Sequence, residues 1–127
     1  MTGKKKVRIL IVDDNEDMLE IYDNMFKGED RYEVDMMDDA MQALRKIGEK
    51  SYDLIITDII MEPLTGESFF VYLRSDERTM NIPVIAVTVL EPHMINTMNK
   101  VDHSIVLQKP IRKEDLFHSI GKCLGLG

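Results

Sequence analysis

The sequence lacks tryptophan, and it has only four prolines and a single cysteine among its 127 residues. One cysteine, Cys123, cannot form an internal disulfide, so the pattern fits a reducing compartment. No apolar run approaches the ~20 residues that a membrane-spanning helix needs. The first residues also lack the apolar segment and cleavage site of a secretory signal. We therefore expect a cytoplasmic protein that makes no contact with a membrane.

Basic residues are outnumbered by acidic ones. The chain has 16 Lys and Arg against 23 Asp and Glu, which gives a formal net charge of −7. Binding to nucleic acid depends on Lys and Arg that neutralise phosphates, so we expect no direct contact with DNA or RNA. No glycine-rich phosphate-binding motif follows the first apolar segment, which argues against nucleotide binding. The acidic excess, confined to residues 1–64, fits a cation site or a basic protein partner.

Five short apolar segments alternate with five amphipathic segments along the chain. Such an alternation predicts parallel strands joined by helical crossovers, in a three-layer α/β/α sandwich. We predict one domain over residues 1–127, with its core over about residues 6–124. Asp14 or Asn15 is expected to cap the first helix and Asp39 the second. The predicted strands begin near Val7, Tyr32, Tyr52, Val84 and Ile105, and the last two helices near Glu91 and Lys113.

Polar side chains follow four of the predicted strands where each strand ends. Asp13 and Asp14 follow the first strand, Asp58 the third, Thr88 the fourth and Lys109 the fifth. The carboxyl ends of parallel strands meet at one edge of the sheet, where open α/β sheets bind ligands. Three carboxylates at one place repel each other unless a cation is present. Oxygen ligands without His or Cys favour a hard ion, so the sequence predicts a Mg²⁺ site.

With these residues the sequence resembles the receiver domains of bacterial two-component response regulators. The matching segments are Asp13-Asp14-Asn15, Asp58 with Gly66 eight residues later, Thr88, and Lys109-Pro110. The resemblance extends from Val7 to Leu124. It implies a flavodoxin-like, doubly wound sheet of strand order 2-1-3-4-5 with five helices.

The resemblance implies a phosphoacceptor and a metal site at the predicted edge. Asp58 would accept the phosphoryl group, and a carboxylate is chemically able to form an acyl phosphate. Asp14, Asp58 and the backbone carbonyl of Ile60 would ligate Mg²⁺, while Asp13 would act through a coordinated water. Metal-dependent phosphorylation is therefore expected.

The resemblance also implies how the phosphoryl group is held and used. Thr88 would donate a hydrogen bond to it, Lys109 would pair with it, and the Lys109-Pro110 bond would be cis. The donor would be a sensor histidine kinase or a histidine phosphotransfer protein. The output would be a conformational change passed to a partner or output domain through the face formed by the fourth predicted helix, the fifth strand and the last helix. The same face would serve a possible homodimer.

Several positions depart from the family pattern, and three of them bear on the function. Val106 stands where an aromatic residue is usual, Val89 follows Thr88 in place of a small residue, and Ile60 lies two residues after Asp58. Val106 and Val89 leave a second interpretation open, a phosphorylation-independent interaction module. A phosphohydrolase would want an acidic group at Ile60, so we expect no enzyme activity beyond self-phosphorylation and slow self-dephosphorylation.

Overall fold

The computed structural model describes residues 6–61, 64–89 and 104–125. Its five strands form one parallel sheet of order β2-β1-β3-β4-β5. The three inner strands are almost wholly buried and the two edge strands are partly exposed, as expected for a sheet covered on both faces. The predicted strand order is confirmed. The strands are β1 (Val7–Val12), β2 (Tyr32–Met37), β3 (Leu54–Thr57), β4 (Val84–Thr88) and β5 (Ser104–Gln108).

Four of the five predicted helices fall within the described residues. They are α1 (Glu16–Phe26), α2 (Ala40–Glu49), α3 (Gly66–Arg74) and a C-terminal helix (Lys113–Leu124). The fourth predicted helix, which would open at Glu91, lies outside the described residues.

The helices cover the sheet on both faces. One core contains residues of α1 and the C-terminal helix together with Ile11 and Ile56, and the other contains residues of α2 and α3 together with Val12 and Ile55. Neighbouring strand residues point to opposite faces, which explains why consecutive aliphatic residues supply both cores. The described part of the chain is therefore the predicted three-layer sandwich.

The helix that begins beside the predicted site is capped by Asn15. The Asn15 side chain accepts a hydrogen bond from the Met18 N–H at 3.1 Å, so Asn15 rather than Asp14 is the cap. Asp39 caps α2 as predicted, accepting from the Met41 N–H at 2.7 Å. Asp14 is thereby left exposed at the edge of the sheet.

Candidate functional site: an acidic cluster at the carboxyl edge of the sheet

Three carboxylates meet at the carboxyl edge of the sheet. Asp13, Asp14 and Asp58 each offer an oxygen atom within 4.8 Å of the other two. Asp13 is fully buried and Asp58 almost so, whereas Asp14 is exposed. Residues distant in sequence are thus brought together as predicted, because β1 and β3 are adjacent parallel strands.

Backbone hydrogen bonds fix the two buried aspartates just beyond the strands. The Asp58 N–H donates to the Val12 carbonyl, and the Asp13 N–H donates to the Met37 carbonyl, both at 3.1 Å. Asp58 follows Ile56 by two residues, and Ile56 belongs to the core on the α1 side of the sheet. By the alternation of side chains, the carboxylates of Asp13 and Asp58 point to that same side.

Lys109 links the two buried carboxylates. Its Nζ lies 2.9 Å from Asp58 Oδ2 and 3.3 Å from Asp13 Oδ2. The Lys109 N–H also donates to the Thr88 carbonyl at 2.7 Å, which joins the ends of β4 and β5. The Lys109–Pro110 peptide bond is cis, as expected.

The second oxygen of each buried carboxylate is held by a backbone amide. Asp13 Oδ1 accepts from the Asn15 N–H at 2.9 Å, and Asp58 Oδ1 accepts from the Ile60 N–H at 3.2 Å. Each carboxylate is therefore fixed at both oxygens, one by the main chain and one by Lys109. This arrangement orients the side chains before any ligand binds.

The electrostatics of the pair follow from burial and proximity. Burial raises the pKa of Asp13, and the Asn15 N–H and Lys109 only partly oppose this effect. Burial acts to lower the pKa of Lys109, but the hydrogen bond to Asp58 and the charges of both aspartates raise it overall. Lys109 is accordingly held as an ammonium ion, a charge-assisted donor next to the acidic cluster.

Gly66 lies against the backbone of Asp58. A Cβ atom at Gly66 would meet the Asp58 carbonyl oxygen and fall 2.7 Å from Ile59 Cα. The Gly66 N–H donates to the Ile59 carbonyl at 2.8 Å. The eight-residue spacing between Asp58 and Gly66 therefore reflects a close approach of α3 to the site that only glycine permits.

The remaining predicted residues lie at this edge or beside it. Thr88 is the buried last residue of β4. Ile60 and Val89 are both exposed, at 52% and 62%. Val106 pairs with Ala86 and packs against the core on the α2 and α3 side.

Sequence reasoning missed Thr57, whose hydroxyl donates to the Asp58 carbonyl at 3.0 Å. The signal that could have identified it is a threonine at the end of an otherwise aliphatic strand, directly before Asp58.

The donor set of the cluster fits a hard divalent cation. Within residues 6–61, 64–89 and 104–125, Asp13, Asp14 and Asp58 are the group of potential ligands that could hold a metal ion. All three offer carboxylate oxygens, the donors that Mg²⁺ prefers. Mutual repulsion of these carboxylates is relieved when a cation binds among them.

A sequence model of the response regulator receiver domain family matches residues 9–121. The chain belongs to this family. It is therefore a phosphoryl-accepting receiver domain of two-component signal transduction, as the sequence resemblance implied, and receiver domains of this kind bind Mg²⁺ at their acidic site. Nothing in the relatives supports the alternative of a phosphorylation-independent module.

Curated relatives come from several kingdoms. The receiver domain is 32% identical over 123 residues to the 3′,5′-cyclic-nucleotide phosphodiesterase regA of Dictyostelium discoideum, a match that covers 94% of this chain and 15% of that protein. It is 33% identical over 82 residues to the chemotaxis protein CheY of Pseudomonas aeruginosa, covering 65% of this chain and 66% of that protein. The chain thus spans a small part of the phosphodiesterase and about two thirds of the chemotaxis protein.

Solved structures show the same fold. The receiver domain of a sensor histidine kinase from Pseudomonas aeruginosa PAO1, with a magnesium ion coordinated in its active site cleft, is 26% identical with a TM-score of 0.83, covering 95% of this chain and 99% of that one. The chemotaxis regulator CheY4 of Vibrio cholerae is 25% identical with a TM-score of 0.85, covering 94% and 100%. Among the described residues of the receiver domain, no helix has the length and hydropathy to cross a membrane.

Proposed function

We propose that Asp58 is the phosphoacceptor of this receiver domain. The observation that carries the proposal is the pair formed by Asp58 Oδ2 and Lys109 Nζ at 2.9 Å, beside Asp13 and Asp14. A nucleophilic carboxylate needs a fixed position and a cation close to the oxygens of the incoming phosphoryl group. Asp58 has both, and the neighbouring Asp14 is exposed to solvent.

The donor in this proposal is a phosphohistidine on a sensor kinase or phosphotransfer protein. A carboxylate oxygen of Asp58 attacks phosphorus and forms the P–O bond of an acyl phosphate. The P–N bond breaks, its electron pair remains on the imidazole nitrogen, and that nitrogen takes up a proton from solvent. Lys109 then pairs with the phosphoryl oxygens, and Thr88 donates a hydrogen bond to one of them.

Mg²⁺ would be held by Asp14, Asp58 and the backbone carbonyl of Ile60, with Asp13 contributing through a coordinated water. When bound, the ion supplies positive charge that offsets the acidic cluster and the anionic donor. Asp13 and Lys109 orient Asp58 through the contacts described above. The related kinase receiver domain, which carries a magnesium ion in its active site cleft, supports a magnesium site in this chain.

The output would be a change of conformation near β4 and β5. Phosphorylation adds negative charge and acceptor oxygens beside Thr88, which would draw its hydroxyl inward and move the segment after β4. The partner or output domain, or a second copy, would read this change on the face formed by β5, the C-terminal helix and the fourth predicted helix. We further propose one domain over residues 1–127, a cytoplasmic location, and no catalysis beyond phosphorylation and slow dephosphorylation of Asp58.

The test is the intact mass of the protein after incubation with phosphoramidate, with and without Mg²⁺. We expect the gain of one phosphoryl group only when Mg²⁺ is present. An Asp58→Asn variant should gain none, because the amide is not a nucleophile for phosphorus. A variant of an exposed aspartate elsewhere, Asp53→Asn, serves as the matched control and should be phosphorylated like the wild type. Phosphorylation of Asp58→Asn at the wild-type level would contradict the assignment.

A further inference from the structure

Thr57 is the last residue of β3, and its side chain is fully buried. The rest of the strand, Leu54 to Ile56, is aliphatic. A hydroxyl placed in an apolar interior costs free energy unless it forms a hydrogen bond, and valine would fill nearly the same volume with an equal preference for strands. The presence of threonine here therefore requires an explanation from its hydroxyl.

The Thr57 hydroxyl donates to the carbonyl oxygen of Asp58 at 3.0 Å. The register of β3 with β4 ends at the pair Thr57 and Ala86, so the Asp58 carbonyl lies beyond that ladder. Gly66 packs directly on the same carbonyl oxygen. The Asp58 peptide is thus held by a hydrogen bond from the preceding residue and by the start of α3.

Thr57 and the Asp58 carboxylate lie on opposite faces of the sheet. Thr57 follows Ile55 by two residues, and Ile55 belongs to the core on the α2 and α3 side. The carboxylate of Asp58 points to the α1 side, where Lys109 meets it. The hydroxyl therefore acts on the Asp58 backbone and not on the reacting oxygens.

We infer that Thr57 is a positioning residue for the phosphoacceptor. Its hydroxyl fixes the plane of the Asp58 peptide, so that Asp58 Oδ1 meets the Ile60 N–H and Oδ2 meets Lys109 Nζ. Small errors in the position of a reacting group lower a rate far more than they lower stability. This inference rests on the proposed role of Asp58.

The chain offers a matched pair of substitutions. Thr57→Val removes the hydroxyl and keeps the shape, whereas Thr57→Ser keeps the hydroxyl. Thr79 is also buried, and its hydroxyl donates to the Leu73 carbonyl at 2.6 Å. Thr79 lies between the end of α3 and the start of β4, so it is near the edge of the sheet opposite the site. Thr79→Val therefore removes a comparable hydrogen bond far from Asp58.

The measurements are the maximal rate of phosphoryl uptake from phosphoramidate at saturating Mg²⁺ and the urea midpoint of unfolding. Both valine variants should lower the midpoint. Thr57→Val should also lower the maximal rate at least about tenfold, while Thr57→Ser restores it and Thr79→Val leaves it unchanged. A wild-type rate in Thr57→Val, or an equal loss in Thr79→Val, would overturn the inference. Should Thr57→Val not fold, Thr57→Cys, with its weak S–H donor, replaces it.

A second readout does not depend on phosphorylation. Exchange of the Ile60 amide hydrogen reports the bond from Ile60 to Asp58 Oδ1, and Thr57→Val should accelerate it at least about fivefold relative to Thr79→Val. Equal exchange in the two variants would overturn the inference. If the wild type took up no phosphoryl group, the proposed function would fail, and the amide exchange would still decide the role of Thr57.

Discussion

The backbone of Gly66 touches the carbonyl oxygen of Asp58, and no side chain fits between them. This contact joins the first residue of α3 to the proposed phosphoacceptor at the end of β3. The position of α3 and the position of Asp58 are therefore coupled. A change at Gly66 is expected to alter both stability and phosphorylation.

Gly66→Ala tests this coupling. The added Cβ meets the backbone of Asp58 and Ile59, which has little room to shift, so the free energy of unfolding should fall by about 1–3 kcal/mol. Phosphoryl uptake should fall as well. The control is Gly48→Ala in α2, where a Cβ has no neighbour within 4 Å and should raise the free energy of unfolding by about 0.5–1 kcal/mol through helix propensity. Urea unfolding measures the change in the free energy of unfolding for each variant. Changes of equal size and sign in Gly66→Ala and Gly48→Ala would contradict the prediction.

Lys109→Met tests the cation between the two buried carboxylates. Removal of the ammonium leaves Asp13 and Asp58 without their shared partner, so we expect a loss of about 3 kcal/mol in the free energy of unfolding and a large loss of phosphoryl uptake. Because a bound cation relieves the same repulsion, Mg²⁺ should stabilise Lys109→Met more than the wild type. Thermal unfolding over a Mg²⁺ titration measures this difference. Lys113→Met, at the exposed pair with Glu29, is the control and should show no extra response.

The strand order and most of the site could be predicted from the sequence because both depend on simple periodicity. Continuous aliphatic runs identified β1, β3 and β4, and parallel topology alone brings their polar terminal residues to one edge. The helix caps were less certain, since Asp14 and Asn15 are both good caps and only the structure selects Asn15.

Contacts between residues that lack a motif could not be predicted. The hydroxyl of Thr57 reaches the Asp58 carbonyl only because β3 leaves the ladder at that point. The hydrogen bond that the Tyr52 hydroxyl donates to Asp35 Oδ2, at 2.6 Å, joins the loop before β3 to β2. Such contacts depend on side-chain direction and local backbone geometry, which composition and spacing do not specify.

Tyr52→Phe tests the hydrogen bond to Asp35. Burial acts to raise the pKa of Asp35, but the bonds from Lys50 and Tyr52 outweigh it and lower that pKa overall. Removal of the Tyr52 hydroxyl should lower the free energy of unfolding by about 1–2 kcal/mol at pH 7. Tyr72→Phe, at an exposed tyrosine, is the control and should have no measurable effect.

The pH dependence of the Tyr52→Phe difference has a defined sign. A carboxylate with a lowered folded pKa stabilises the fold above its ordinary pKa of about 4 and loses that contribution as the pH falls below it. The difference between wild type and Tyr52→Phe should therefore shrink below about pH 4. Burial and the bond to Asp35 raise the pKa of Tyr52, so its contribution is complete below about pH 10 and declines above it. Urea unfolding of both proteins in buffers between about pH 3 and neutrality checks the acid limb. A difference in the free energy of unfolding that stays constant over this range would refute the prediction.

Ile60→Asn tests the lifetime of the phosphorylated state. Ile60 lies two residues after Asp58, and its N–H binds Asp58 Oδ1 while its aliphatic side chain is exposed at 52%. An aliphatic group beside an acyl phosphate cannot orient a water for attack, whereas an amide can, and positioned polar groups accelerate such steps by at least about tenfold. We expect wild-type Asp58 phosphate to persist for minutes or longer and Ile60→Asn to shorten that lifetime. Release of phosphate after removal of phosphoramidate measures both lifetimes, with Ile21→Asn, at an exposed isoleucine of α1, as the control. A wild-type half-life of seconds, or equal lifetimes in the three proteins, would show that Ile60 does not control access of water.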